Sequence, residues 1–165
     1  MEYEVQSVSA FCLREWAADI LDSEGMHLQK TTPHHKDTST FSHSVAVAQM
    51  SLAIAQVLGI RVDERALVRG ALLHDYYLYN CQEEKEAHPR HHFTHAAIAA
   101  ENARRDFSLS DKEEDIIRKH MFPLNPALPK YRETAIVSIA DKICAIREYL
   151  TPNPLPAHTS ERGQA

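Results

Sequence analysis

Apolar residues recur along this chain at intervals of three and four, and nowhere do Val, Ile and Thr alternate over the length of a strand. That is the period of helices rather than of sheets. Phe11, Trp16, Ile20 and Leu21 fall near helical spacing between Ser7 and Ser23, with Gly25 where such a helix would stop. Residues 29–40 have no period and many hydrogen-bonding side chains, the marks of a loop. From 41 to 58 the positions Val45, Val47, Ala48, Leu52, Ile54, Ala55 and Leu58 cover much of a helix circumference, so this helix should be largely buried, ending at Gly59. Asp63 suits the N-cap of a helix over 64–75 whose apolar face is Ala66, Leu67, Gly70, Ala71 and Leu73. Residues 76–90 read as an irregular connection. Thr94 can cap a helix from 95 to about 106, and Ser110-Asp111-Lys112-Glu113 has the capping-box pattern ahead of Ile116, Ile117 and His120, with Pro123 and Pro126 as stops. The last long helix spans about 132 to 150, with Ile136, Val137, Ile139, Ala140, Ile143, Cys144 and Ile146 on its expected buried side.

The fold class is therefore all-α. At 165 residues the chain is of one-domain size, expected over 1–150, with Pro152, Pro154 and Pro156 marking a flexible tail over 151–165. Net charge is −5, with Lys and Arg scattered rather than striped, which argues against binding duplex nucleic acid but leaves room for a small phosphorylated ligand. Cys12, Cys81 and Cys144 fit neither a disulfide framework nor a zinc knuckle, and read as reduced thiols. The acidic start, Met1-Glu2-Tyr3-Glu4, is unlike a signal peptide, and no apolar stretch approaches the roughly 18 residues of a membrane span. A cytoplasmic protein with no membrane association is expected.

Histidine is the compositional outlier, at 11 residues. His74 and Asp75 close the apolar run Arg69-Gly70-Ala71-Leu72-Leu73, while His43 and Asp141 lie inside apolar-periodic segments of their own. A carboxylate flanked by Ile139, Ala140 and Ile143 loses several kcal/mol on desolvation unless a cation or donor faces it. A salt bridge would satisfy Asp141 and a core hydrogen bond would satisfy His43, each taken singly. A shared divalent ion satisfies all four at once, since imidazole and carboxylate are both ligands for such ions.

The ordered set His43 in Phe41-Ser42-His43-Ser44, His74-Asp75 in Ala71-Leu72-Leu73-His74-Asp75, and Asp141 in Ile139-Ala140-Asp141-Lys142 resembles the HD metal-dependent phosphohydrolase superfamily. The likeness runs from about Thr31 to Leu150. It implies a compact helical bundle of about six to eight helices with these four residues as primary metal ligands. His92, before a pair of small residues, and His120 are similar to the additional histidines of the symmetric dinucleoside tetraphosphate hydrolase branch, which hold a second ion; His95 competes with His92 for that role. Ser39 to Ser44, Leu72 to Leu78, Phe93-Thr94-His95 and Lys119-His120-Met121 also resemble small bacterial HD-domain phosphohydrolases.

The implied cofactor is a divalent transition metal, one or two ions, with Fe or Mn favoured by the resemblance and Co, Ni, Zn and Mg as the other candidates. Such an ion brings bound water towards a neutral pKa and neutralises a phosphoryl oxygen. Asp75 is the natural bridging carboxylate, and His74 and Asp75 would work with Lys142 in catalysis. Lys142 follows Asp141 by about 100° of helix rotation, so it either contacts phosphate or snorkels to solvent. Substrate contacts are expected from His35, Lys36, Ser39, His95, Lys142 and Arg147. His27, His34, His88 and His158 lack periodic context and read as surface residues. Tyr76, Tyr77 and Tyr79 either wall a nucleobase pocket or pack in the core. The expected function is hydrolysis of a phosphomonoester or phosphoanhydride, a nucleotide above all. The alternative is a non-catalytic sensor binding a nucleotide on the same scaffold. A homodimer is compatible with either.

Overall fold

A computed structural model describes residues 13–34, 38–80, 83, 86–87 and 89–150, the side chain of His92 excepted. The tail over 151–165, Cys12, Cys81, His35, Lys36, His88 and the first residues of the expected N-terminal helix lie outside the described residues. The described residues form seven helices and no strand: α1 over 13–21, α2 Glu24–Gln29, α3 Thr40–Val57, α4 Glu64–Leu73, α5 His91–Asp106, α6 Asp111–Lys119 and α7 Arg132–Leu150. None of them is long and apolar enough to cross a membrane.

The N-terminal segment differs from expectation at Gly25. Ser23, not Gly25, marks the break: its side chain accepts from Met26 N and starts α2, so Gly25 lies in a first helical turn. Glycine is needed there for space, because a Cβ would lie 1.7 Å from Tyr76 Oη. The buried side of α1 is Leu13, Ala17 and Ile20, with Trp16 and Leu21 flanking.

α4 is the central rod. Every residue from Ala66 to Leu73 is buried, and α4 packs against α3, α5, α6 and α7. Close approach to α6 depends on Gly70, where a Cβ would stand 2.9 Å from Ile116 Cβ. Arg69, also buried, is balanced by Glu113 at 2.7 Å and Asp19 at 2.6 Å, since an unpaired charge there would be very costly. Glu113 additionally closes the expected capping box with Ser110. Asp63 caps α4 as expected, accepting from Ala66 N. After α3, Gly59 takes up φ +62° and turns the chain away.

Two expectations about the later helices are corrected. α5 begins at His91, not after Thr94, whose hydroxyl instead donates to Arg90 O inside the first turn. On α7 the buried apolar residues are Ile136, Val137, Ala140 and Cys144, whereas Ile139, Ile143 and Ile146 are 53%, 37% and 58% exposed. Among the described residues the helix packs against α3, α4 and α6, which cover Ile136, Val137, Ala140 and Cys144 and leave Ile139, Ile143 and Ile146 outside that contact.

Candidate metal centre

The site forms where helix ends and faces meet. α3 brings His43, the last turn of α4 opens into His74 and Asp75, α5 brings His95, the end of α6 brings His120, and α7 brings Asp141. The backbone leaving α4 is irregular, so its carbonyls need partners from elsewhere. Gln29 Nε2 donates to Asp75 O at 2.7 Å, and Asn102 Nδ2 donates to Tyr76 O and Tyr77 O.

His74 and His120 occupy the C-cap positions of α4 and α6. The last carbonyls of a helix have no partner within it, and here the rings supply one. His74 Nδ1 donates to Ala71 O at 2.7 Å, and His120 Nδ1 donates to Ile117 O at 2.9 Å. His95 Nδ1 donates to His91 O at 2.9 Å. A carbonyl can only accept, so all three rings carry a proton on Nδ1 and turn Nε2 inwards.

Those nitrogens converge on two carboxylates. His74 Nε2 lies 3.5 Å from Asp75 Oδ2 and 3.7 Å from Asp141 Oδ1. His95 Nε2 and His120 Nε2 lie 3.4 and 3.7 Å from Asp75 Oδ1, and 3.0 Å from each other. His43 Nε2 is 3.1 Å from Asp141 Oδ1. Ligand atoms of His43, His74 and Asp141 fall within 4.8 Å of one another, as do those of His74, Asp75 and His120. His74 Nε2 and Asp75 Oδ1 are buried without any hydrogen bond.

The charge state carries the same message. Burial alone would lower His74, but the nearby Asp75 and Asp141 carboxylates raise it to about 9, so the pocket holds a positive charge on this ring whose Nε2 proton a metal ion would replace. Burial opposes ionisation of Asp75 too, yet His74, His34 and His95 hold its pKa well below the usual carboxylate range; His43 and His74 do likewise for Asp141. Burial and the neighbouring His74 push His120 down to about 3. Two Nδ1-protonated rings with Nε2 atoms at 3.0 Å set lone pair against lone pair unless a cation or a shared proton lies between them. The donor set, imidazole and carboxylate without thiolate, with orphaned buried atoms on both partners, fits divalent metal.

Other expected residues fall as follows. His95 points into the site, because the earlier start of α5 places it one turn inside the helix with its Nδ1 on His91 O. His92 is in α5, with its side chain outside the described residues, as are His35 and Lys36 entirely. Ser39 caps α3, accepting from Ser42 N and donating to Ser42 Oγ. Lys142 Nζ donates to His120 O at 3.2 Å, Ser138 O at 3.0 Å and Ser138 Oγ at 2.9 Å, which fastens the end of α6 to α7. Arg147 is exposed on α7. Tyr76 and Tyr77 are buried core residues, while Tyr79 Oη meets His91 Nδ1 at 2.7 Å.

Two residues at the site were not anticipated. His34, expected at the surface, is mostly buried, its Nε2 3.1 Å from Asp75 Oδ2 and its ring stacked on His43 with centroids 4.0 Å apart. Glu148 Oε1 accepts from His43 Nδ1 at 2.8 Å. Glu148 was legible in principle, since it lies two helical turns after Asp141 on the same face. No period marked His34.

An all-helical bundle with a His/Asp centre at the ends of its helices defines a class of candidate metalloproteins. Residues 40–146 match the HD domain family, and the chain belongs to it. That family is generally one of metal-dependent hydrolases. Neither a curated protein nor a solved structure gave a match.

Proposed function

We propose that this protein is a metal-dependent phosphohydrolase acting on a phosphomonoester or phosphoanhydride, with nucleotides as the substrate class. The observation that carries the reading is the shared orientation of His74, His95 and His120: each ring gives its Nδ1 proton to a helix carbonyl and turns Nε2 towards Asp75 or Asp141.

His43, His74, Asp75 and Asp141 would hold one ion. Asp75 offers its other oxygen to His95 and His120, which would complete a second position with it. Divalent ions held by these residues would supply an activated water near neutral pH and offset charge on the phosphoryl group. Asp75 lies between the two positions and so fixes their separation. The helix carbonyls of Ala71, His91 and Ile117 keep the imidazoles from rotating or changing tautomer. Lys142 acts at one remove by holding the carbonyl of His120. Fe or Mn is the proposed metal.

The test is a panel of nucleotides, dinucleoside polyphosphates and sugar phosphates assayed with Mn, Fe, Co and Mg. Phosphate release that depends on added metal and disappears with chelator is expected. Tight binding of a nucleotide with no turnover under any metal would replace this reading with that of a sensor.

A further inference from the structure

His34 and Glu148 both lie outside the stretch that matches the HD family, residues 40–146, yet both are built into the site. His34 stands at the neck of the segment between α2 and α3. Its backbone N–H donates to Thr38 O, and the adjoining pairs Thr40 N to Thr32 O and the bridge between Pro33 and Ser39 close the neck. The backbone around His34 is thus tied down, and its ring is clamped in turn. One face stacks on His43 at an interplanar angle of 24°. Glu148 reaches both rings, with Oε1 2.8 Å from His43 Nδ1 and Oε2 3.6 Å from His34 Nδ1.

The consequence is a row of inward nitrogens longer than the family pattern provides. His34 Nε2, His43 Nε2 and Asp75 Oδ2 belong to residues whose ligand atoms fall within 4.8 Å of one another, as do those of His43, His74 and Asp141. Neighbouring ligand atoms in this set are 3.1 Å apart at His34–Asp75 and at His43–Asp141, and 3.5 and 3.7 Å apart at His74–Asp75 and His74–Asp141. Octahedral coordination with bonds of about 2.1 Å sets adjacent ligands about 3 Å apart. The four separations, 3.1 to 3.7 Å, lie at or somewhat above that spacing, so five protein atoms drawn onto one ion would leave one vertex of an octahedron.

We propose that His34 is a fifth protein ligand to the ion held by His43, His74, Asp75 and Asp141, and that Glu148 is the positioning residue that orients His34 and His43 together. Glu148 does for His43 what a helix carbonyl does for the other three imidazoles, fixing the proton on Nδ1 so that Nε2 faces inwards. With His34 in place, a single open position remains for water or a phosphoryl oxygen, a coordination set that suits six-coordinate Mn or Fe better than four-coordinate Zn. This inference rests on the metal-site reading above.

The experiment is Mn binding by the full chain, measured by titration calorimetry on metal-stripped protein, comparing wild type with His34→Gly, Glu148→Gln, Glu148→Ala and Asp141→Ala. Expected is a loss of affinity of about ten- to a hundredfold for His34→Gly, recovered by millimolar free imidazole, which can occupy the vacated position. Glu148→Ala should fall by a similar factor, while Glu148→Gln, which keeps an acceptor for His43 Nδ1, should fall less. Circular dichroism of each variant confirms that the helices persist. His34→Gly binding as tightly as wild type while Asp141→Ala does not would overturn the role of His34 alone. Equal binding by Asp141→Ala and wild type would overturn the metal site itself. A His34→Gly loss that imidazole does not restore, in a variant with unchanged helix content, would also count against coordination by His34.

Discussion

Nε2 of His95 and Nε2 of His120 face each other at 3.0 Å while both rings give their Nδ1 proton to the main chain. With Asp75 Oδ1 beside both, this pair would form the second position of the proposed metal site. Either His95→Ala or His120→Ala should therefore lower bound metal from two equivalents to one, because the four-residue position on the other side of Asp75 is untouched. Metal analysis of purified protein by inductively coupled plasma spectrometry reads this directly. Two equivalents in either variant would show that the pair does not coordinate.

Asp141 faces both His43 and His74 from α7. Asp141→Ala removes the acceptor that two inward imidazoles share, so metal retention and phosphate release should both disappear. Undiminished turnover would remove Asp141 from the site.

Lys142 is held by three oxygen acceptors, and burial lowers its pKa against the opposing charge of Asp141. Lys142→Met keeps the aliphatic stem and deletes the donors. The expected cost is about 2 kcal/mol of stability, which for a chain of this size lowers Tm by about 4–8 °C. With the carbonyl of His120 released, kcat/KM should fall about tenfold while metal content holds. A normal Tm with reduced kcat/KM would instead mean that Nζ leaves these carbonyls to meet substrate.

Gly70 sets the distance between α4 and α6. Gly70→Ala gains up to about 1 kcal/mol of helix propensity, but the new methyl meets Ile116 Cβ and Cγ2 at 2.9 Å, atoms too near the backbone to swing aside. Overpacking should win, for a net loss of about 1–3 kcal/mol in denaturant unfolding. Adding Ile116→Ala should make the glycine substitution far less costly than it is alone, a coupling that a double-mutant cycle measures.

Asp115, buried under the approach to α7, accepts from Thr134 Oγ1 at 2.7 Å and Lys130 N at 2.9 Å and pairs with Lys119. Burial works to raise its pKa, and these donors outweigh it, so the carboxyl lies below its ordinary 3.8 when folded. The folded pKa is the lower one, so the stabilisation is complete above about pH 4 and is lost as pH falls through the folded value. Asp115→Asn should therefore be less stable than wild type at pH 7 and converge with it as the pH falls through the folded pKa of Asp115. A constant difference across that window would deny Asp115 this part in acid unfolding.

Most of the architecture could be read from residue order, because caps and periods are local. Ser110 with Glu113, and Asp63 ahead of α4, announce their helices without reference to anything distant. The family pattern was legible for a related reason: its residues sit inside strongly periodic helices. The errors arose where a tertiary contact chose between local options. Thr94 is a good cap in isolation, but α5 starts at His91 without a side-chain cap, and Tyr79 and His95 engage His91. Ile139, Ile143 and Ile146 share the apolarity of Ile136 and Val137, and only the placement of α3, α4 and α6 around one side of α7 separates them. His34 carried no signal at all, since its position comes from hydrogen bonds across the neck of a loop rather than from a helical period.

Asp75 is gripped twice by the short stretch of chain ahead of α3: Gln29 holds its carbonyl, and His34 meets its carboxylate. Few residues separate those two anchors, so they bracket the central aspartate like the jaws of a caliper. Lengthening the stretch between them by a single residue should slide one jaw relative to the other and turn the Asp75 side chain out of register with its histidines while circular dichroism still reads the same helix content.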